Sequence, residues 1–156
     1  QATANRAASA GGFAAAHAEL RASEAAVALA VFALGWVTGF DIIYATLDEA
    51  FDRAHGVQSM VVWLGRARAL RVSWVLHLVA MAALGWAVWR VAFAAGAPNP
   101  LWAAVTGGSF AGSAVLLWLE QRWAEDVNLA FFKTNVVVGF LVLATVLAAR
   151  MASGGF

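Results

Sequence analysis

Apolar residues run along this chain in four long blocks separated by polar or glycine- and proline-containing links. The first block extends from Ala25 to Leu47 and is broken only by Asp41. The second, Val72 to Trp89, carries no charge and continues beyond Arg90 into Val91–Ala97. The third, Leu101 to Leu119, is also uncharged, and the fourth runs from about Val127 to Ala149 with Lys133 near its start. A bilayer crossing needs roughly 20 mostly apolar residues, and each block is of that order. Lipid-exposed backbone must satisfy its own hydrogen bonds, so all four are expected to be helices. The pattern predicts an all-α integral membrane bundle over residues 25–151, with spans at about 25–47, 70–95, 101–120 and 127–150.

The links differ in character. Gly96-Ala97-Pro98-Asn99-Pro100 reads as a short turn, and Glu120 to Asp126 as another. Residues 48–69 are expected to form a longer polar loop carrying Arg53, Arg66 and Arg68. Residues 1–24 are alanine-rich with scattered charges, which suits a surface helix or the remnant of a preceding one. They lack the order of basic start, apolar centre and cleavage site of a signal peptide.

Composition supports lipid as the solvent. Of 156 residues, 63% are hydrophobic and 12% charged, against roughly 25% charged in ordinary soluble domains. A net charge of +1 argues against a nucleic-acid partner, and the absence of cysteine excludes disulfides, thiolate metal sites and a cysteine nucleophile. Six of the eight tryptophans, Trp36, Trp86, Trp89, Trp102, Trp118 and Trp123, lie mostly near span ends, as interfacial anchors do. With four spans, Arg6, Arg21, Arg90 and Arg150 fall on one side, and Arg53, Arg66, Arg68, Arg71, Arg122 and Lys133 on the other. That bias predicts a cytoplasmic 48–69 loop in a bacterial inner membrane. Gly35-x-x-x-Gly39 and Gly108-x-x-x-Gly112 offer small faces where helices could approach closely.

The richest chemistry lies in GFDIIYATLDEAFDRAHG, residues 39–56. Asp41, Asp48 and Asp52 stand at offsets of 0, 7 and 11, which on one continuous helix would bring them within roughly 40° of each other. Tyr44 would edge the same face, and Glu49 would point elsewhere into solvent. Unpaired acids in register repel one another. Either a divalent cation resolves the repulsion, Mg²⁺ taking one or two carboxylates and completing its shell with water and phosphate oxygens, or nearby arginines pair with a solvated helix end. Arg53, His55, Arg66 and Arg68 are placed to neutralise a diphosphate. His77, inside the second span, is either a buried histidine bonded to a neighbouring helix or a ligand to a tetrapyrrole metal. No serine–histidine–aspartate pattern and no phosphate-binding glycine loop occurs.

The run Asp41-x-x-Tyr44-Ala45-x-x-Asp48-x-x-x-Asp52, followed by Gly56, Ser59 and Gly65, resembles the second aspartate-rich motif of the UbiA family of intramembrane prenyltransferases. ARALRVSWVLHLVA (67–80) and VNLAFFKTN (127–135) are similar to the 4-hydroxybenzoate polyprenyltransferase branch that serves quinone biosynthesis. The resemblance implies a nine-helix bundle in which Mg²⁺, held between two aspartate-rich motifs, binds a polyprenyl diphosphate whose prenyl group passes to an aromatic acceptor. It implies Asp48 and Asp52 as metal ligands, Asp41, Tyr44 and Arg53 as diphosphate or cavity residues, and Asn135 as a polar position of the last helix.

Departures from that pattern are visible. Gln58 and Trp63 stand where relatives carry a basic residue, and Trp74 replaces another position often basic. The family's first motif, Asn-Asp-x-x-Asp-x-x-x-Asp, occurs nowhere in the sequence. One carboxylate cluster cannot clamp the metal from both sides. The expectation is therefore a membrane subunit that is not catalytic alone, an accessory component of a larger assembly that handles quinones or pigments. The alternative is the C-terminal half of an active Mg²⁺-dependent polyprenyltransferase. Lipid and other membrane chains are the expected partners on both readings.

Overall fold

The computed structural model describes residues 20–93, 96–123 and 129–154, with side chains described for 24–93, 96–123 and 133–154. The expected N-terminal surface helix lies largely outside the described residues. The structure is all-helical among those residues, with four long helices and two short ones: α1 Leu20–Ala45, α2 Glu49–His55, α3 Met60–Leu64, α4 Arg66–Ala92, α5 Pro100–Arg122 and α6 Leu129–Ala152. Segments of α1, α4, α5 and α6 are each long and apolar enough to cross a membrane.

The helix ends follow from local chemistry. Asn99 caps α5, its side-chain oxygen accepting from the backbone N–H groups of Leu101 and Trp102 at 3.1 and 3.4 Å. Pro100 opens the helix without forfeiting an intrahelical bond. The segment expected as a polar loop instead holds α2 and α3. Ser59 caps α3, its hydroxyl accepting from Val62 N–H. Gly56 and Gly65 end α2 and α3 with φ of 70° and 79°, a region L side chains avoid.

A larger correction concerns the aspartates. A single helix through Asp41, Asp48 and Asp52 does not form. Thr46 and Leu47 N–H bond back to Ile43 and Tyr44 carbonyls in three-residue steps, and the Thr46 hydroxyl donates to Ile43 O at 2.7 Å. A β-branched residue whose hydroxyl competes for backbone partners favours such an end. The chain turns there, and α2 starts afresh after Asp48.

Packing is tightest where side chains are smallest. Helix α1 runs antiparallel to α4, and Gly35 and Gly39 are the points of closest approach. A Cβ on Gly35 would stand 3.0 Å from Leu76 O, and one on Gly39 2.5 Å from the His77 ring. The Gly35-x-x-x-Gly39 face is thus used as a helix–helix seam. Gly112 packs on α6, where a Cβ would meet Leu141 at 3.3 Å, whereas Gly108 has open space beside it. Helix α5 lies along α6, and α4 touches both. Phe32, Ala80 and Leu84 form a buried cluster, with Trp36, Phe110 and Val142 against it.

Little of each span is covered. No spanning window is more than 33% buried, and in α5 the figure is 17%. Val31, Leu34, Val37, Trp86, Trp89 and Phe140 are among the large apolar side chains left exposed. These helices present their apolar surface to lipid or to further membrane helices, not to water.

Candidate half-site at one end of the bundle

The C-terminal end of α1, α2, α3 and the N-terminal end of α4 meet at one end of the bundle, together with the C-terminal end of α5. Asp41, Asp48, Glu49, Asp52, Arg53, Arg66, Arg68, Arg71 and Arg122 all sit there. The opposite end carries Arg90, paired with Glu24 at 2.8 Å, and Arg150. Among the described residues, charge is therefore concentrated at the aspartate end.

Asp41 is exposed on the last turn and a half of α1, and Tyr44, one turn on, packs its ring against Phe40 with centroids 5.1 Å apart. Asp48 is exposed at the N-cap position of α2 and makes no side-chain capping bond. Asp52 turns inward and is only 8% exposed. The three carboxylates therefore occupy different environments. Among the described residues no three His, Cys, Asp or Glu side chains gather closely enough to hold a metal ion. Asp48 and Asp52 remain compatible with Mg²⁺, which needs only one or two carboxylates when phosphate oxygens and water complete its shell.

The basic residues are committed differently from expectation. Arg53 turns back to Glu49, bonding it through Nε and Nη2 at 3.2 and 2.9 Å. Glu49 is thus an ion-pair partner, not a merely solvated acid, and Arg53 is not directed at Asp52. His55 stacks on Phe51 with centroids 4.0 Å apart and donates from Nδ1 to Phe51 O. Arg66 donates to Thr46 O at 3.2 Å, tying the start of α4 to the turn that interrupts the aspartates. Gln58 and Trp63 are exposed, Trp63 at 74%, which sets a large apolar ring on the surface of the connecting segment.

A polar layer lies directly beneath this turn and joins all four long helices. Ser73 donates to Gly39 O at 2.7 Å, and Gln121 Nε2 donates to Ser73 Oγ at 2.7 Å and to His77 Nδ1 at 3.0 Å. His77 Nε2 faces Trp36 O at 3.3 Å. A carbonyl only accepts, so the proton is on Nε2 and Nδ1 is the acceptor. Both ring nitrogens are engaged, which is the buried-histidine alternative, and a metal would have to displace one of these bonds. Trp36 Nε1 donates to Asn135 Oδ1 at 3.2 Å, carrying the network to α6. Asn135, placed in the site by resemblance, is therefore part of this layer. Asp41 lies two residues beyond Gly39, about 3 Å along the helix axis.

Sequence reasoning missed Ser73, Gln121 and Glu120. The signal available was the four-residue spacing of Ser73 and His77, which puts two polar groups on one face of an apolar span. Their partner Gln121 was hidden by its position at a span end, where polar residues are ordinary.

Four membrane-spanning helices with a carboxylate- and arginine-rich end define a polytopic integral membrane protein. The model of the UbiA prenyltransferase family matches residues 3–137, and the chain belongs to that family. No curated protein and no solved structure gives a significant match.

Proposed function

We propose that this chain is a prenyltransferase-like half-site: a membrane component that can hold a polyprenyl diphosphate at its aspartate end but does not transfer the prenyl group by itself. The observation that supports the reading is the pair Asp48 and Asp52 at the arginine-rich bundle end of a chain that belongs to the UbiA family. Asp48 and Asp52 would hold Mg²⁺, and Arg66, Arg68 and Arg71 supply positive charge at the same end. When bound, the metal would supply charge stabilisation for the departing diphosphate. The chain's own residues would orient the anion: Arg66 anchors the turn through Thr46, and the exposed Tyr44 and Asp41 on the last turns of α1 would stand beside it. The exposed Trp63 and Trp74 and the Glu49–Arg53 pair draw basic and polar capacity away from the anion, which suits an accessory role in an assembly that handles quinones or pigments. The 48–69 segment is proposed to face the cytoplasm of a bacterial inner membrane.

A second reading is favoured by the retained Asp48 and Asp52. Joined to helices bearing another aspartate cluster, the same surface would form an active Mg²⁺-dependent site that prenylates an aromatic acceptor, of the 4-hydroxybenzoate type, in quinone biosynthesis. Transfer of a radiolabelled prenyl group to 4-hydroxybenzoate separates the readings. The purified chain is expected to give no product alone. Product formed when it is isolated with its native membrane partners supports the second reading, and product from the chain alone contradicts the first.

A further inference from the structure

Glu120 is 1% exposed, and neither carboxyl oxygen has a hydrogen-bond partner among the described residues. Asn135 is 9% exposed, and its Nδ2 is likewise unpartnered while Oδ1 accepts from Trp36. Buried polar groups are nearly always paired, and unpaired ones call for an explanation. Two tie points show that these residues share a level. Helices α5 and α6 are antiparallel, with Asn99 N bonded to Ala152 O and Gly112 against Leu141. Continued for eight residues from that second contact, the register sets Glu120 opposite Lys133, within two residues of Asn135. One side chain offers acceptors and the other a donor, so they are complementary.

Among the described residues, the charged and titratable side chains of this level are few. His77 on α4 has both ring nitrogens occupied, whereas Asp41 on α1, Arg122 on α5 and Lys133 on α6 are exposed. Neither the Arg53–Glu49 pair nor the Arg90–Glu24 pair involves Glu120. An ionised carboxylate buried without a cation is strongly disfavoured, and such a group takes up a proton instead.

We propose that the Glu120 carboxyl, with the Asn135 amide on the facing helix, is a proton-binding site set inside the bundle beneath the aspartate turn. The acid's carbonyl oxygen accepts from Asn135 Nδ2 through one bridging water, since the two groups make no direct bond, and so extends the Ser73–Gln121–His77–Trp36–Asn135 network to a second residue of α5. An intramembrane acid of this kind marks function more often than packing. The inference goes beyond the half-site reading and stands or falls independently of it.

The test uses the full chain in phosphatidylcholine nanodiscs and two carbodiimides. Dicyclohexylcarbodiimide partitions into apolar surroundings and reacts with carboxyls that carry a proton. Mass spectrometry is expected to find its adduct on Glu120 and to lose it in Glu120→Gln. A water-soluble carbodiimide is expected to modify Asp48 and Glu49 and to spare Glu120. Infrared spectra supply a second readout: a neutral-carboxyl C=O band that vanishes in Glu120→Gln and shifts in Asn135→Leu. A folded wild-type chain unlabelled at Glu120 by the apolar reagent overturns the proposal. Equal labelling by both reagents, or a band unchanged in Glu120→Gln, does so as well.

Discussion

Two neighbouring regions of this molecule treat their polar groups in opposite ways. In the layer of Ser73, His77, Gln121, Trp36 and Asn135, most polar atoms have a partner on another helix. In the aspartate turn a few ångströms above, Asp41 and Asp48 are exposed, and the side-chain bonds there run mostly between near neighbours, such as Arg53 to Glu49. The layer spends its hydrogen bonds on joining helices, which in lipid cannot rely on the hydrophobic effect to find one another. The turn keeps two of its three carboxylates outward, Asp41 and Asp48, which serves packing poorly and suits the proposed binding role. Fold and site are thus separated by about one helical turn, and substitutions should separate them too.

The largest stability loss is expected for Gly39→Val, which drives a branched side chain into the His77 ring and Ser73 O. Overpacking of this kind costs about 1–3 kcal/mol, and the α1–α4 seam has backbone, not a flexible tip, on one side. Unfolding in mixed detergent micelles measures it, and a variant as stable as wild type would remove the seam from the account. Next comes Gln121→Leu, which strands His77 Nδ1 and one acceptor site of Ser73 for about 1–2 kcal/mol. A double-mutant cycle with Ser73→Ala should return a coupling near 0.6 kcal/mol, the usual value between membrane helices. Zero coupling would mean that the bond contributes nothing. Trp36→Phe removes the donor to Asn135 together with ring area packed on Phe32 and beside Gly139, so its cost by the same measurement is expected to exceed the ~0.6 kcal/mol usual for the bond alone.

The turn should respond in the reverse manner. Asp48→Asn is expected to change stability by less than about 0.5 kcal/mol, as exposed substitutions do, while abolishing Mg²⁺-dependent binding of a prenyl diphosphate. The smallest effect is that of Glu49→Gln. It breaks an exposed four-residue pair worth about 0.3–0.5 kcal/mol and releases Arg53, so diphosphate binding should hold or strengthen. Weaker binding in Glu49→Gln would show that Arg53 already works from its paired position.

The sequence makes the membrane fold legible because lipid imposes one strong rule on long apolar blocks, and four such blocks became four helices. Gly35 and Gly39 were readable for a similar reason, since a small face at four-residue spacing has few uses other than close packing. The aspartate geometry was not readable from periodicity. Offsets of 0, 7 and 11 describe a face only if the helix continues, and Thr46, bonding Ile43 O with its own hydroxyl, ends it. Nor was the polar layer visible, because Ser73, Gln121 and Asn135 are distant in sequence and meet only through the antiparallel register of the helices. The role proposed for Asp48 and Asp52 comes from the family likeness and not from periodicity, because a motif can be matched without the fold.

The central claim is that the aspartate end is a diphosphate-binding half-site. Titration of the purified chain in nanodiscs with farnesyl diphosphate, with Mg²⁺ and again with a chelator, tests it most directly. The account predicts saturable binding that needs Mg²⁺ and disappears in both Asp48→Asn and Asp52→Asn, each checked as folded. Binding that ignores Mg²⁺ and both aspartates, or no binding to the folded wild type, would contradict it.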